Sequence, residues 1–147
     1  MYKRIIGFAL LAMLLVAGCR TTGSTIIQDF AADYPDTDPA NVVLEIATGT
    51  LNLTAADTSG ISGTATTNVE NWTVTTSSDP DGTLRIQQGS ARNEVIPNAT
   101  NQWDIRMGRG KSITLTIAAA SASGSLDLGG LSLSQLAVTG GSGAYRL

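Results

Sequence analysis

The chain contains no histidine and a single cysteine, Cys19. These absences exclude imidazole chemistry and any disulfide within the chain, and they leave thiol catalysis only a residue whose position points to another use. Basic residues are also scarce, with nine Lys and Arg against twelve Asp and Glu among 147 residues. Residues 1–18 hold Lys3 and Arg4 and no acid, so without them the formal net charge falls from −3 to −5. A surface of that sign offers phosphate backbones no footprint, which excludes nucleic acid as a partner, and it disfavours lying flat on anionic lipid. No apolar run reaches the roughly twenty residues that a bilayer span needs; the run from Ile5 to Gly18 has fourteen.

That short run is nevertheless ordered. Lys3 and Arg4 precede an uncharged stretch, and Leu15-Val16-Ala17-Gly18 stands immediately before Cys19, giving the basic, apolar and small-residue parts of a secretory signal peptide. The last five residues resemble a bacterial lipobox. The resemblance implies that the Cys19 thiol takes a diacylglyceryl group and that cleavage before it makes Cys19 the mature N-terminus. Each buried methylene contributes about 0.8 kcal/mol, and two chains suffice for stable anchoring. The expected location is therefore a membrane surface facing the cell exterior or periplasm, with membrane lipid as a partner through Cys19. Arg20 stands where the inner-membrane retention pattern has Asp, so the outer membrane is expected in a cell that has one.

Three segments follow from these boundaries: a signal peptide over 1–18, a lipidated N-terminus and acidic flexible tether over 19–41, and an all-β domain over 42–147. In the tether Asp29, Asp33, Asp36 and Asp38 repel one another and Pro35 and Pro39 interrupt any helix. A flexible segment of this length spans about 25 Å. Ile26, Ile27 and Phe30 are the residues that would lie against the domain instead. Asp36 and Asp38 lack the glycine and distal glutamate of a calcium loop, and no metal or other cofactor is expected.

From Val42 the pattern has period two. Val42, Leu44 and Ile46, then Leu51 and Leu53 beyond Gly49, predict two strands and a tight turn. Trp72 and Val74 share a face, Asp79-Pro80-Asp81-Gly82 is a turn signal before Leu84 and Ile86, and Val95-Ile96-Pro97 starts a loop that Asn98–Asn101 extends. Trp72 and Trp103 fall in apolar registers and are expected in the core. The three Asn-X-Thr sequons, at Asn52, Asn71 and Asn98, read as strand and turn residues.

The C-terminal third is the most patterned. Trp103, Ile105 and Met107 alternate, as do Ile113, Leu115 and Ile117; Leu126/Leu128, Leu131/Leu133 and Leu136/Val138 follow in bursts separated by Gly or Ser. Leu115-Thr116-Ile117 and Leu136-Ala137-Val138 are 21 residues apart, and Leu128 and Leu147 are 19 apart, which suggests stacked rungs. Two copies do not bury a continuous core alone, so the first must stack on the strands before it.

The order of the segments NVVLEIATGTLNL, ISGTATTNVENW, TLRIQQG, NQWDIRMGRG, SITLTI and SLDLGGLSLSQLAVTGGSG resembles the toast-rack (DUF2154-like) domain of bacterial cell-surface proteins. It is related to DUF4097-type adhesin-like domains and to the C-terminal domain of envelope-stress sensors. The resemblance implies a short β-solenoid or sandwich-like stack of strands. This chain departs from its relatives at Ala47-Thr48-Gly49-Thr50 and Ala120-Ser121-Ala122-Ser123, where they show Gly-Ala-Gly and an acid. It also stops at Tyr145-Arg146-Leu147 in mid-strand by pattern, as a shortened member or truncated frame would, leaving an edge open to self-association.

Several motifs mimic catalytic or binding sites. Gly110-Lys111-Ser112 lacks the upstream glycine of a phosphate loop, where Ile105 stands, and Tyr145 occupies the ligand position of a calcium-binding solenoid repeat. Glu45, Asp57, Glu70, Glu94, Asp104 and Asp127 would have to supply the carboxylate pair of a glycoside hydrolase, but no spacing favours a pair. Arg106, Arg109 and Lys111 form the local basic group and the candidate binding surface. These residues point to a non-catalytic binding, adhesion-like or structural module of the cell envelope, with an unknown envelope protein or polysaccharide as partner. An accessory role in envelope-stress sensing through a partner membrane protein and a carboxylate-pair hydrolase are the alternatives.

Overall fold

The computed structural model describes residues 22–89 and 96–147. The lipobox, Cys19 and Glu94 lie outside the described residues. All regular structure described is strand, as expected: β1 (Ile26–Asp33), β2 (Ala40–Ala56), β3 (Gly60–Thr67), β4 (Val74–Ser78), β5 (Leu84–Gln88), β6 (Asn101–Gly108), β7 (Ser112–Asp127), β8 (Ser132–Gly140) and β9 (Tyr145–Arg146). Among the described residues no helix is long and apolar enough to cross a membrane.

The long strand β2 organises the sheet. Along one edge it pairs in parallel with β7 from Ala40 to Thr54. Its other edge is shared, with β5 alongside Val42–Glu45 and β6 alongside Thr50–Ala56, both parallel. From β6 the sheet continues antiparallel through β3 to β1, and from β5 to β4.

The segment expected to be two strands and a tight turn is one bent strand. Val42, Leu44 and Ile46 are buried before the bend and Leu51 and Leu53 after it, so the inward face shifts by one residue across Ala47–Gly49. β7 shifts at the same level, from Ile113, Leu115 and Ile117 to Ala122 and Leu126. The two bends are stacked, so the sheet folds over and both halves bury their side chains in one core. Gly49 is required there: its φ is 125°, and a Cβ would run into the carbonyl oxygen of Asn101. A reversal is unnecessary because β7 follows β2 on both sides of the bend.

The 21-residue spacing is the height of one rung. Leu115 lies beside Leu136, Ile117 beside Val138 and Gly124 beside Tyr145. Leu147, by contrast, is 82% exposed and belongs to no strand.

The stretch read as a flexible tether contains a strand and the start of another. β1 pairs with β3 along its whole length, and the Phe30 ring meets Trp103 at a centroid distance of 5.9 Å. Ile26, Gln28, Phe30 and Ala32 are the half-buried positions of a period-two pattern that the acids and prolines disguise. Asp29 faces outward and accepts a hydrogen bond from Thr64 at 2.7 Å, so its charge does not oppose the strand. The Gln28 side chain then bonds both the carbonyl oxygen and the amide of Val74, at 2.8 and 2.9 Å. One amide thus ties β1 to the start of β4 and nearly closes the sheet into a barrel.

Candidate functional site

The basic group expected to form a surface is divided among separate partners. Arg106 projects outward from β6 and is exposed. Arg109 holds Asp57 at 2.6 Å, and the Lys111 ammonium donates to the Asp36 carbonyl at 3.5 Å. The three stand near the β6–β7 turn, with two of them engaged by neighbouring loops.

Each candidate carboxylate among the described residues has its own surroundings, and the one that meets another acid, Glu45, does so through Arg85 with Asp79, which was not a candidate. Glu45 and Asp79 share Arg85, at 2.6 and 2.7 Å, and the bond to Asp79, with the charge of Glu45, raises the Arg85 pKa above its ordinary value. Asp104 accepts from Asn52 and Gln102, Asp127 accepts from the amide of Gly129, and Glu70 is exposed. Among the described residues no three His, Cys, Asp or Glu gather as a metal site.

Two other arrangements come from the fold itself. The first is a polar row on the outer face. The register sets Asp29, Thr64, Asp104, Asn52, Ser125 and Arg146 side by side on β1, β3, β6, β2, β7 and β9. Several are bonded to one another: Thr64 donates to Asp29 at 2.7 Å, Asn52 to Asp104 at 2.9 Å and Ser125 to Asn52 at 3.2 Å. At a strand spacing of about 4.8 Å the row is roughly 24 Å long. Five of its six side chains, Asp29 with Thr64 and Asp104 with Asn52 and Ser125, are held by bonds within the row, so contact with a partner there would cost little additional ordering.

The second arrangement is buried. β5 and β6 leave a gap between them along the edge of β2, and the side-chain amides of Gln88 and Asn101 fill it. The Trp103 indole donates to Asn101 Oδ1 at 3.0 Å. Indole N–H is a donor only, so it fixes the Asn101 amide with its nitrogen facing the other way, where Nδ2 donates to the Thr48 carbonyl at 2.6 Å and to Gln88 Oε1 at 2.8 Å. Gln88 Oε1 also accepts from the Ala47 amide at 3.1 Å. Two donors converge on that oxygen, so the Gln88 amide cannot be reversed, and its buried Nε2 has no hydrogen-bond partner among the described residues. Gln88 forms part of the wall of a cavity of about 340 Å³ with Ile46, Ala47, Ala118, Ala119, Thr139 and Gly140 among its other walls.

Asn101 was expected in a loop but is the first residue of β6 and 5% exposed. A signal for both amides lies in the sequence. Gln88 continues the alternation Leu84, Ile86, and Asn101 begins the alternation Trp103, Ile105, Met107, so each is a polar residue in an inward register.

Residues 20–147 match the family described as the N-terminal domain of toast_rack, DUF2154. The chain belongs to the toast-rack family. The toast-rack fold is also similar to the crystal structure of a "putative cell adhesion protein" from Clostridium sporogenes, with a TM-score of 0.65 at 18% identity. That similarity covers 82% of this chain and 59% of the Clostridium protein, so this chain spans less than two thirds of its length. No curated protein matches the sequence. At the bends Gly49 abuts Asn101 and Gly143 abuts Ala122, where a Cβ would strike the neighbouring backbone. Small size is what this corner demands.

Proposed function

We propose that the protein is a lipid-anchored surface module of the bacterial envelope that binds an envelope protein or polysaccharide in an adhesion-like role, without catalysis. The single observation that carries the binding role is the polar row in register across six strands, from Asp29 to Arg146, with bonds joining Asp29 to Thr64 and Asn52 to Asp104 and Ser125. A face of this kind meets a broad, hydrated partner rather than a small substrate. The description of the Clostridium protein as an adhesion protein supports the same reading, as do the carboxylates taken up by Arg85, Asn52 and Gln102. Anchoring is assigned to Cys19, after the residues Leu15-Val16-Ala17-Gly18.

The test is attachment of cells carrying the protein to a surface coated with envelope fragments. Thr64→Lys and Ser125→Lys together disrupt the row from the solvent side. Attachment is expected to fall to the level of cells without the protein, whereas unchanged attachment at equal surface display contradicts the proposal.

A further inference from the structure

We propose that the domain stands end-on against the lipid bilayer, with the end that holds the bends of β2 and β7 facing the headgroups. The proposal rests on the lipid anchor at Cys19 proposed above. The two ends are set by register. Ile26, Thr67 and Asn101 lie side by side on β1, β3 and β6, level with the bends, where Thr50 sits beside Gln102 and Ser123. At the opposite end Asp33 lies beside Gly60 and Ala56 beside Gly108, and the short connections 34–39 and 109–111 lead there into β2 and β7.

The chain that leads to the anchor is fixed to the first of these ends. Gly23, four residues after Cys19, donates its amide to the Asn68 carbonyl at 2.7 Å. Asn68 is itself held: its side chain accepts from the Thr100 amide at 2.7 Å and donates to the Asn98 carbonyl at 3.0 Å. Four residues of extended chain reach at most about 14 Å. Lipid at Cys19 therefore keeps the bends close to the headgroups, and the pairing of β1 along its whole length removes the slack of a longer tether.

Charge decides between standing and lying. Among the described residues of the connections 22–25, 47–49, 68–73, 96–100, 120–122 and 141–144, Glu70 is the one charged residue, whereas the opposite end gathers Asp36, Asp38, Asp57, Asp79, Arg109 and Lys111. Lying flat on β1, β3 and β6 would set Asp29, Asp33 and Asp104, with Arg106 the one base among them, against lipid phosphates. Standing on the bends brings only Glu70. Ile27, the second residue of β1 and 68% exposed, adds an apolar side chain at the same end, where leaving water is favourable. Upright strands then set the row from Asp29 to Arg146 parallel to the bilayer, roughly 10 Å above this end, so a partner of the row approaches from the side.

Cys19 is the chain's one cysteine and its thiol is taken by lipid, so an introduced cysteine is a unique labelling site. Ser142→Cys lies at the bends, where the Ser142 amide donates to Ala120, and Ser59→Cys lies in the β2–β3 turn at the opposite end; both serines are exposed. Each acylated variant is placed in phosphatidylcholine vesicles with a fluorophore on the new cysteine and an acceptor on the headgroups. Energy transfer is expected to put the Ser142 site nearer the headgroups by roughly 20 Å, the length of one strand of the sheet, with or without phosphatidylglycerol. Equal transfer from the two sites, stronger transfer from the Ser59 site, or a difference that appears only with phosphatidylglycerol would overturn the assignment. A spacer of about fifteen Gly-Ser residues inserted after Thr21 is expected to erase the difference, and a difference that survives it overturns the short pinned chain as the cause. If the protein carries no lipid at Cys19, anchor and orientation fall together. If it is acylated and the two sites stand at equal height, the orientation falls and the anchor stands.

Discussion

The side-chain amides of Gln88 and Asn101 meet at 2.8 Å inside the core, on strands β5 and β6 that do not pair with each other. They occupy the interval on the edge of β2 where neither strand supplies backbone. Gln88 accepts from Ala47 and Asn101 donates to Thr48, so two side chains do there what a neighbouring strand would do, and Gln28 repeats the device between β1 and β4. Buried backbone groups require partners; this fold bends one strand between two neighbours and supplies the missing partners from amide side chains.

Asn101→Leu removes the acceptor of the Trp103 indole and the donor to Thr48 together. Urea unfolding is expected to show a loss of about 2–4 kcal/mol, most of it from buried groups left unpaired. A loss below about 0.5 kcal/mol would mean that the chain of amides contributes nothing to the bend.

Gly49→Ala and Gly110→Ala separate two costs of a side chain at positive φ. Both glycines have one, at 125° and 92°, but a Cβ at Gly110 meets nothing within 4 Å whereas one at Gly49 strikes Asn101. Gly110→Ala is expected to cost about 1–2 kcal/mol from backbone strain, and Gly49→Ala about 2–5 kcal/mol once overpacking is added. Equal losses of stability would contradict the close approach at the bend.

Tyr34 predicts an alkaline effect. Burial pushes its pKa up to about 12, and its hydroxyl donates a hydrogen bond to the Gly108 carbonyl at 3.0 Å. A raised folded-state pKa means that the folded protein holds the proton more tightly. Its stability contribution is complete below pH about 10 and declines as pH rises toward about 12. Tyr34→Phe is expected to flatten that decline in unfolding measurements between those limits, and an unchanged profile would remove Tyr34 as its source.

Much of this was legible in the sequence for a physical reason. Buried strands alternate strictly, so Trp103, Ile105 and Met107, or Ile113, Leu115 and Ile117, declare their faces, and the 21-residue repeat gives the rung. β1 escaped because its inward set, Ile26, Gln28, Phe30 and Ala32, is broken by a polar residue and flanked by acids whose partners, such as Thr64, lie far along the chain. The bend in β2 escaped because a glycine between two alternating runs has the same pattern whether the chain reverses or only changes face; pairing with β7 decides it. The basic group at Arg106, Arg109 and Lys111 looked free because Asp57 and the Asp36 carbonyl come near only in the folded chain. Gln88 and Asn101 were visible as polar residues in apolar registers, but their meeting depends on β5 and β6 sharing one edge of β2.

The central claim, a binding module held on the membrane by lipid, is tested most directly by the intact mass of the protein from the membrane fraction, compared with Cys19→Ala. The account predicts a chain that begins at Cys19 and carries acyl mass, while the variant is absent from the membrane as an acylated species. A membrane-fraction protein that retains residues 1–18, or one cleaved there without lipid, would contradict it.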